Sequence, residues 1–155
     1  MARVYLETSF FSACVAGRTD AASVFRRQES QRWWTVQRSA HELSLSAEVL
    51  RELSDPAFGN RDLALAMTAG LHLLPLSADV VGLAKILVRE QVMPGPESSG
   101  DSLHVAAATV HSMEYLLTWN VKHLANLNKV RHLQEVCRRV GYAPPAIVTP
   151  DLLWT

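Results

Sequence analysis

The sequence predicts an α/β fold: a parallel sheet with helices covering both of its faces. Three observations predict it. Short β-prone runs alternate with helical stretches along the whole chain, so successive strands are joined by helical crossovers. The β-prone runs are continuous apolar segments rather than polar–apolar alternations, as expected of strands buried on both sides. One late helical stretch, Asp101 to Val110, is apolar almost all round and rich in alanine, which suits an interior helix packed closely on a sheet.

Each element follows from local signals. Val4-Tyr5-Leu6 is a first strand, followed by a turn at Glu7-Thr8-Ser9 and a helix. Asp20 can cap a second helix reaching Ser39, with Val24, Phe25, Trp33 and Val36 as its apolar positions. Trp33 and Trp34 suit core or dimer contacts better than base stacking. Leu43-Ser44-Leu45 is a second strand, and Ser46 can cap a helix ending at Leu53. Asp55-Pro56 closes that helix, because proline disfavours helical geometry in the residue before it. A helix from Pro56 to Ala69 and a strand at Leu73-Leu74 come next. Ser77 caps another helix, whose Val80, Leu83, Ala84 and Leu87 recur at i, i+3, i+4 and i+7. The stretch from Met93 to Gly100 is a loop by its proline, glycine and serine content. Tyr115–Thr118 is a strand, Asn128–Val140 an amphipathic helix through Val130, Leu133, Cys137 and Val140, and Ala146-Ile147-Val148 the last strand.

Composition bounds the function. A chain of 155 residues fits one domain, spanning 1–155. Its 48% apolar and 19% charged residues describe a globular protein and exclude intrinsic disorder. Cys14 and Cys137 lie far apart with no CxxC spacing, which argues against a disulfide framework or zinc cage and for buried thiols in a reducing compartment. Glu7 interrupts the N-terminal apolar stretch that imitates a signal peptide. Leu63 to Leu76 is too short to span a bilayer. The expected location is therefore cytoplasmic, with no membrane partner.

The formal net charge is zero, yet its distribution is uneven. Five basic residues face one acid between Trp119 and Tyr142, and five face two acids between Gly17 and Ser39. From Glu42 to Asp101 there are nine carboxylates against four basic residues. An acidic centre with basic flanks suits a metal site bordered by phosphate-binding surface, although solvated helix faces give the same pattern.

Ligand sites of parallel sheets lie beyond the C-terminal strand ends. Glu7 directly follows the first strand, and Asn120 lies just past Tyr115–Thr118. Glu52 comes one helix after Leu43–Leu45, and Asp101 stands in the first turn of the apolar helix. Hard oxygen donors of this kind suit Mg²⁺ or Mn²⁺. Each has a plainer reading. Glu7 can be a solvated turn residue, though glutamate is a poor N-cap. Asp101 after Ser99-Gly100 can be the helix N-cap. Glu48 and Glu52 share a helix face, and nothing local decides between them. His104, one turn past Asp101, reads as a satisfied core histidine. No GxSxG elbow, phosphate-cradling glycine loop or cysteine–histidine pair supports other chemistries.

The order of four segments along the chain resembles that of the PIN-domain family, in particular the VapC-type toxin ribonucleases of bacterial toxin–antitoxin pairs. Val4-Tyr5-Leu6-Glu7-Thr8-Ser9 resembles the family's first strand and acidic turn. Ser46 to Leu53 resembles the segment with the second acid, at Glu52 rather than Glu48. Asp101-Ser102-Leu103-His104-Val105-Ala106-Ala107 resembles its aspartate-led buried helix. Leu116-Leu117-Thr118-Trp119-Asn120 resembles the strand and turn that complete its site. The chain departs from the family's usual aspartate at Glu7 and has a neutral residue at Asn120.

The resemblance implies a three-layer sandwich with a central parallel sheet of about five strands flanked by helices, a homodimer, and a possible antitoxin protein partner. It implies an endoribonuclease using Mg²⁺ or Mn²⁺ to hydrolyse RNA phosphodiester bonds. Glu7, Glu52 and Asp101 would be its metal ligands, with Asn120 a neutral ligand or water-orienting group. Ser9 and Thr118 would support them, and Lys122, His123 and Arg131 would contact the RNA. Because glutamate replaces aspartate at Glu7, an alternative stays open: a PIN-like module that binds RNA or protein with a weak or inactive metal site.

Overall fold

The structure is a computed structural model that describes residues 1–97 and 99–155. Of the predicted 93–100 loop, Ser98 lies outside the described residues. Five strands form one parallel sheet: β1 (Ala2–Leu6), β2 (His41–Ser46), β3 (His72–Leu74), β4 (Tyr115–Leu117) and β5 (Ala146–Val148). Their order is β3-β2-β1-β4-β5, with Val4 opposite Leu43 on one side and Tyr115 on the other. In β1, Val4, Tyr5 and Leu6 are all buried. Successive strand residues point to opposite faces, so both faces of the sheet are covered.

The helices are α1 (Thr8–Val15), α2 (Ala21–Gln37), α3 (Ala47–Leu53), α4 (Arg61–Thr68), α5 (Ala78–Arg89), α6 (Asp101–Val110) and α7 (Leu127–Arg139). Helix α1 packs on α2, α3 and α4, whereas α5 packs on α6. Residues 102–109 of α6 are all buried, and its alanines allow that close approach. Trp33 pins α2 to the core: its indole N–H donates to Leu153 O at 2.7 Å, and Phe10 packs edge-on against its ring. Among the described residues no helix is long and apolar enough to cross a membrane.

The structure corrects the local reading in a few places. The helix expected from Pro56 begins only at Arg61. Asp55 Oδ1 accepts from Ala57 N and Asp55 O from Phe58 N, so residues 55–58 spend their hydrogen bonds on turns. Helix α2 ends at Gln37 and gives way to a 3₁₀ turn, Arg38–Ala40. Phe25 and Val36 are exposed rather than core positions. Ser46 stands at the N-cap of α3 but makes no capping bond, because its hydroxyl is engaged by Tyr5.

This strand order has a switch point. The chain winds outward from β1 through β2 to β3, then returns to the other side of β1 to lay down β4. The crevice between the C-terminal ends of β1 and β4 is where an open parallel sheet places its ligand.

Candidate metal centre

Glu7 leaves β1 at that crevice and is the N-cap of α1. Its Oε2 accepts from Ser9 N at 3.0 Å and Thr118 Oγ1 at 2.8 Å, and also from the Ser9 hydroxyl. Ser9 Oγ in turn accepts from Trp119 N at 2.8 Å, which ties the start of α1 to the chain beyond β4. Sequence reasoning rated glutamate poorly as a cap. The longer stem nevertheless lets one carboxylate oxygen cap the helix while Oε1 faces the crevice, 4.0 Å from His104 Nε2.

Glu52, in the last turn of α3, reaches the same place. Its Oε1 accepts from Thr8 Oγ1 at 2.7 Å and pairs with His104 Nε2. His104 is fully buried, and its other nitrogen lies 2.7 Å from Tyr5 Oη, which is 2.8 Å from Ser46 Oγ. The histidine read as a core residue is thus satisfied, but by the polar groups of the crevice. Burial pulls its pKa down, and the hydrogen bond it donates to Glu52, with the nearby Glu7 charge, outweighs that, raising it overall. Glu52 is raised by burial and lowered more by His104 and Thr8, so it falls below the usual carboxylate range.

Asp101 begins α6, but the N-cap is Gly100, whose φ of 72° favours glycine. The capping reading of Asp101 therefore does not hold. Asn120 Nδ2 donates to both Asp101 oxygens, at 3.3 and 3.2 Å, and Asn120 Oδ1 accepts from His123 N. Burial and the charge of Glu7 raise the Asp101 pKa, with a smaller contribution from Glu52. Asp101 thus feels both of the other carboxylates.

Glu48, the rival of Glu52, is buried and turned elsewhere: it grips the Arg51 guanidinium and accepts from Gly100 N. It positions the start of α6. Lys122 lines a groove with Ser9, Asn120 and Trp119, while Arg131 lines a separate one on α7. Cys14 and Cys137 are buried free thiols pushed up to about 12 and about 11 by burial, too high for nucleophiles.

The donor set fits a divalent ion. One ligand atom each from Glu7, Glu52 and His104 lie within 4.8 Å of one another. Asp101 is outside that tight group of three but within electrostatic reach of it.

No protein-family model matches the sequence, and no curated protein does. Solved structures do match. VapC20 of Mycobacterium tuberculosis, a sarcin–ricin-loop-cleaving toxin, superposes with a TM-score of 0.57 and 19% identity over 77% of this chain and 92% of its own. VapBC2 from Rickettsia felis, bound to a DNA fragment from their promoter, gives 0.55 and 15% over 98% of both chains. FitAcB from Neisseria gonorrhoeae gives 0.56 and 12% over 97% of this chain and 99% of that one. The chain has a VapC-like PIN fold. Within that fold the crevice holding Glu7, Glu52 and His104 lies at the C-terminal edge of the sheet, at its switch point.

Proposed function

We propose that the chain is a Mg²⁺- or Mn²⁺-dependent endoribonuclease of the VapC type, the toxin of a type II toxin–antitoxin pair, acting as a cytoplasmic homodimer of one-domain subunits. The observation that carries this is the gathering of one buried and two half-buried acids at the switch point of the sheet, in a fold shared with a toxin that cleaves the sarcin–ricin loop. The likeness to VapBC2, solved on promoter DNA, supports an antitoxin partner.

Glu7 Oε1, Glu52 and Asp101 would hold the ion. When bound, it supplies an activated water and neutralises charge on the phosphoryl oxygens. Ser9 and Thr118 fix the Glu7 carboxylate through Oε2. Asn120 holds the Asp101 carboxylate flat with two N–H···O bonds and is itself held by the amide of His123. Lys122, in the groove beside Ser9 and Asn120, meets the RNA phosphates there, with His123 and Arg131 extending the basic border.

One observation favours the rival reading of an inactive binding module: three hydrogen bonds already engage Glu7 Oε2, one of them as the cap of α1. The test is direct. Single-stranded and hairpin RNAs are incubated with the purified chain and Mn²⁺ or Mg²⁺, then with excess chelator. Cleavage that needs the ion and stops on chelation supports the nuclease. RNA binding without any cleavage under either ion overturns it in favour of the module.

A further inference from the structure

We propose that His104 is a nitrogen ligand of this metal centre, so that Glu7, Glu52 and an imidazole hold the ion together. The inference rests on the metal-dependent reading above and deepens it.

The ring is set up as ligating histidines are. Such a histidine presents one nitrogen to the ion and donates its other N–H to a fixed acceptor, which sets ring orientation and tautomer. Here Nδ1 sits 2.7 Å from Tyr5 Oη, and Tyr5 Oη sits 2.8 Å from Ser46 Oγ. The chain Nδ1–H to Tyr5, then Tyr5 O–H to Ser46, fixes the ring, so that loss of the Nε2 proton now shared with Glu52 would present the Nε2 lone pair to an ion. Tyr5 and His104 are both fully buried, so solvent does not compete for either end.

Nε2 is aimed at the acids. It pairs with Glu52 Oε1, stands 4.0 Å from Glu7 Oε1 and 3.5 Å from Thr8 Oγ1. Two ligands of one ion stand at most about twice a bond length apart, or ~4.2 Å for bonds near 2.1 Å. The Glu7–His104 separation already meets that limit, the rest of the set lies within 4.8 Å, and the Nε2–Glu52 contact would open as the ion takes the place of the shared proton. A core histidine would need one acceptor; this one faces two carboxylates.

The consequence is selectivity. Carboxylates and water suit both Mg²⁺ and Mn²⁺, but imidazole nitrogen suits the first-row transition ions, of which Mn²⁺ is the weakest binder, better than it suits Mg²⁺. One nitrogen among the oxygens biases the centre toward Mn²⁺ over Mg²⁺.

The experiment is electron spin-echo spectroscopy of the intact, Mn²⁺-loaded chain, prepared with natural-abundance and with ¹⁵N-labelled histidine, alongside calorimetric titration with Mn²⁺ and Mg²⁺. The expected result is a directly bonded nitrogen coupling that changes on ¹⁵N labelling. Bound Mn²⁺ with no such coupling overturns the inference and leaves the nuclease reading standing. Failure to bind Mn²⁺ at all overturns both. In variants, His104→Gln should lower Mn²⁺ affinity by about 10- to 100-fold while affecting Mg²⁺ much less. Tyr5→Phe, which removes only the acceptor behind the ring, should retain the nitrogen coupling and weaken Mn²⁺ about 10-fold. Equal losses for both ions in His104→Gln overturn the proposed selectivity. Should that variant misfold, the coupling in the parent chain still decides the matter.

Discussion

The two ends of the sheet make opposite kinds of surface. At the N-terminal edge, Arg3, Trp34, Arg38, His41, Glu42 and His72 line a groove of about 940 Å³. At the C-terminal edge the space beside Ser9, Trp119, Asn120 and Lys122 is about 520 Å³. The larger hollow holds scattered charges: Arg3 reaches out to Ser112 O and stands 4.0 Å from an exposed Glu42, and Arg38 lies over Trp34. The smaller one is lined by Ser9 and Asn120, which hold Glu7 and Asp101, and these acids with Glu52 are buried or half-buried, tied to hydroxyls or amides and close enough to shift one another. Chemistry is marked by convergence of desolvated charge, not by volume.

The strongest way to break this contrast is to remove charge at the C-terminal edge. Glu7→Gln keeps the size and the cap geometry but not the negative charge. It should abolish Mn²⁺ binding and reduce RNA cleavage on the order of 100- to 1,000-fold, the scale of losing one group that stabilises developing charge. Parent-like Mn²⁺ affinity and cleavage in this variant would make Glu7 a helix cap and nothing more. Glu7→Asp should retain metal binding, because a carboxylate on a shorter stem is still a hard ligand.

Asp101→Asn sharpens the same point by separating function from stability. Burial and Glu7 raise the Asp101 pKa, so the ionised form is disfavoured in the folded, metal-free chain. Folding is therefore opposed by this group above its folded pKa, and the opposition fades as pH falls toward its unfolded value. The variant should lose cleavage yet unfold at an equal or higher temperature than the metal-free parent at neutral pH. That stability difference should vanish in acid. A large loss of stability at neutral pH would contradict the repulsion account.

Much of this contrast was legible in the sequence, and the rest was not for identifiable reasons. Four of the five strands announce themselves by short apolar runs and β2 by the alternating Leu43-Ser44-Leu45, and Asp101 begins its helix where its apolar pattern begins. Glu7 could be placed at a strand end because β1 stops one residue before it. Its double use as cap and inward-facing acid could not, since that depends on Thr118, far away in the chain. The same holds for His104: local spacing puts it one turn past Asp101, but its partners Tyr5 and Glu52 come from β1 and α3. Glu48 and Glu52 are indistinguishable locally, and contacts distant in the chain separate them: Gly100 N with Glu48, Thr8 and His104 with Glu52. Helix α4 starts at Arg61 rather than Pro56 because the chain turns twice first, with Asp55 O accepting from Phe58 N and Phe58 O from Arg61 N.

A milder test concerns the basic border. Lys122→Ala should weaken RNA binding and reduce the slope of its salt dependence by about one, as expected when one phosphate contact is lost. Arg131→Ala should do the same if RNA runs from the near groove onto α7. Unchanged slopes in both variants would mean that these residues only solvate their surfaces. A change at Lys122 alone would confine the substrate to the groove beside Asn120.

The smallest effect is expected at the opposite edge, where His41 is a control with its own content. Its ring stacks flat on Trp33, with centroids 5.7 Å apart and 2° between planes, and neither ring nitrogen has a hydrogen-bond partner among the described residues. Burial lowers its pKa, so the neutral form is the one the fold accepts. The sign follows: the folded pKa lies below the unfolded value, so the neutral ring is accommodated at high pH and stability is lost as pH falls through the unfolded pKa. His41→Phe removes two buried polar atoms and keeps a flat ring against the indole. It should therefore leave Mn²⁺ affinity and cleavage within experimental error of the parent, because nothing at this edge touches the acids. Thermal unfolding should show the variant equal or slightly more stable at pH 8, with the gap widening as pH falls below ~6.5, the ordinary histidine value. A gap that shrinks on acidification would mean that the charged imidazole is stabilised in the fold, through Glu114, whose charge acts on it from the neighbouring segment. A loss of cleavage in His41→Phe would break the contrast itself, for it would tie the large groove to the chemistry at the other end of the strands.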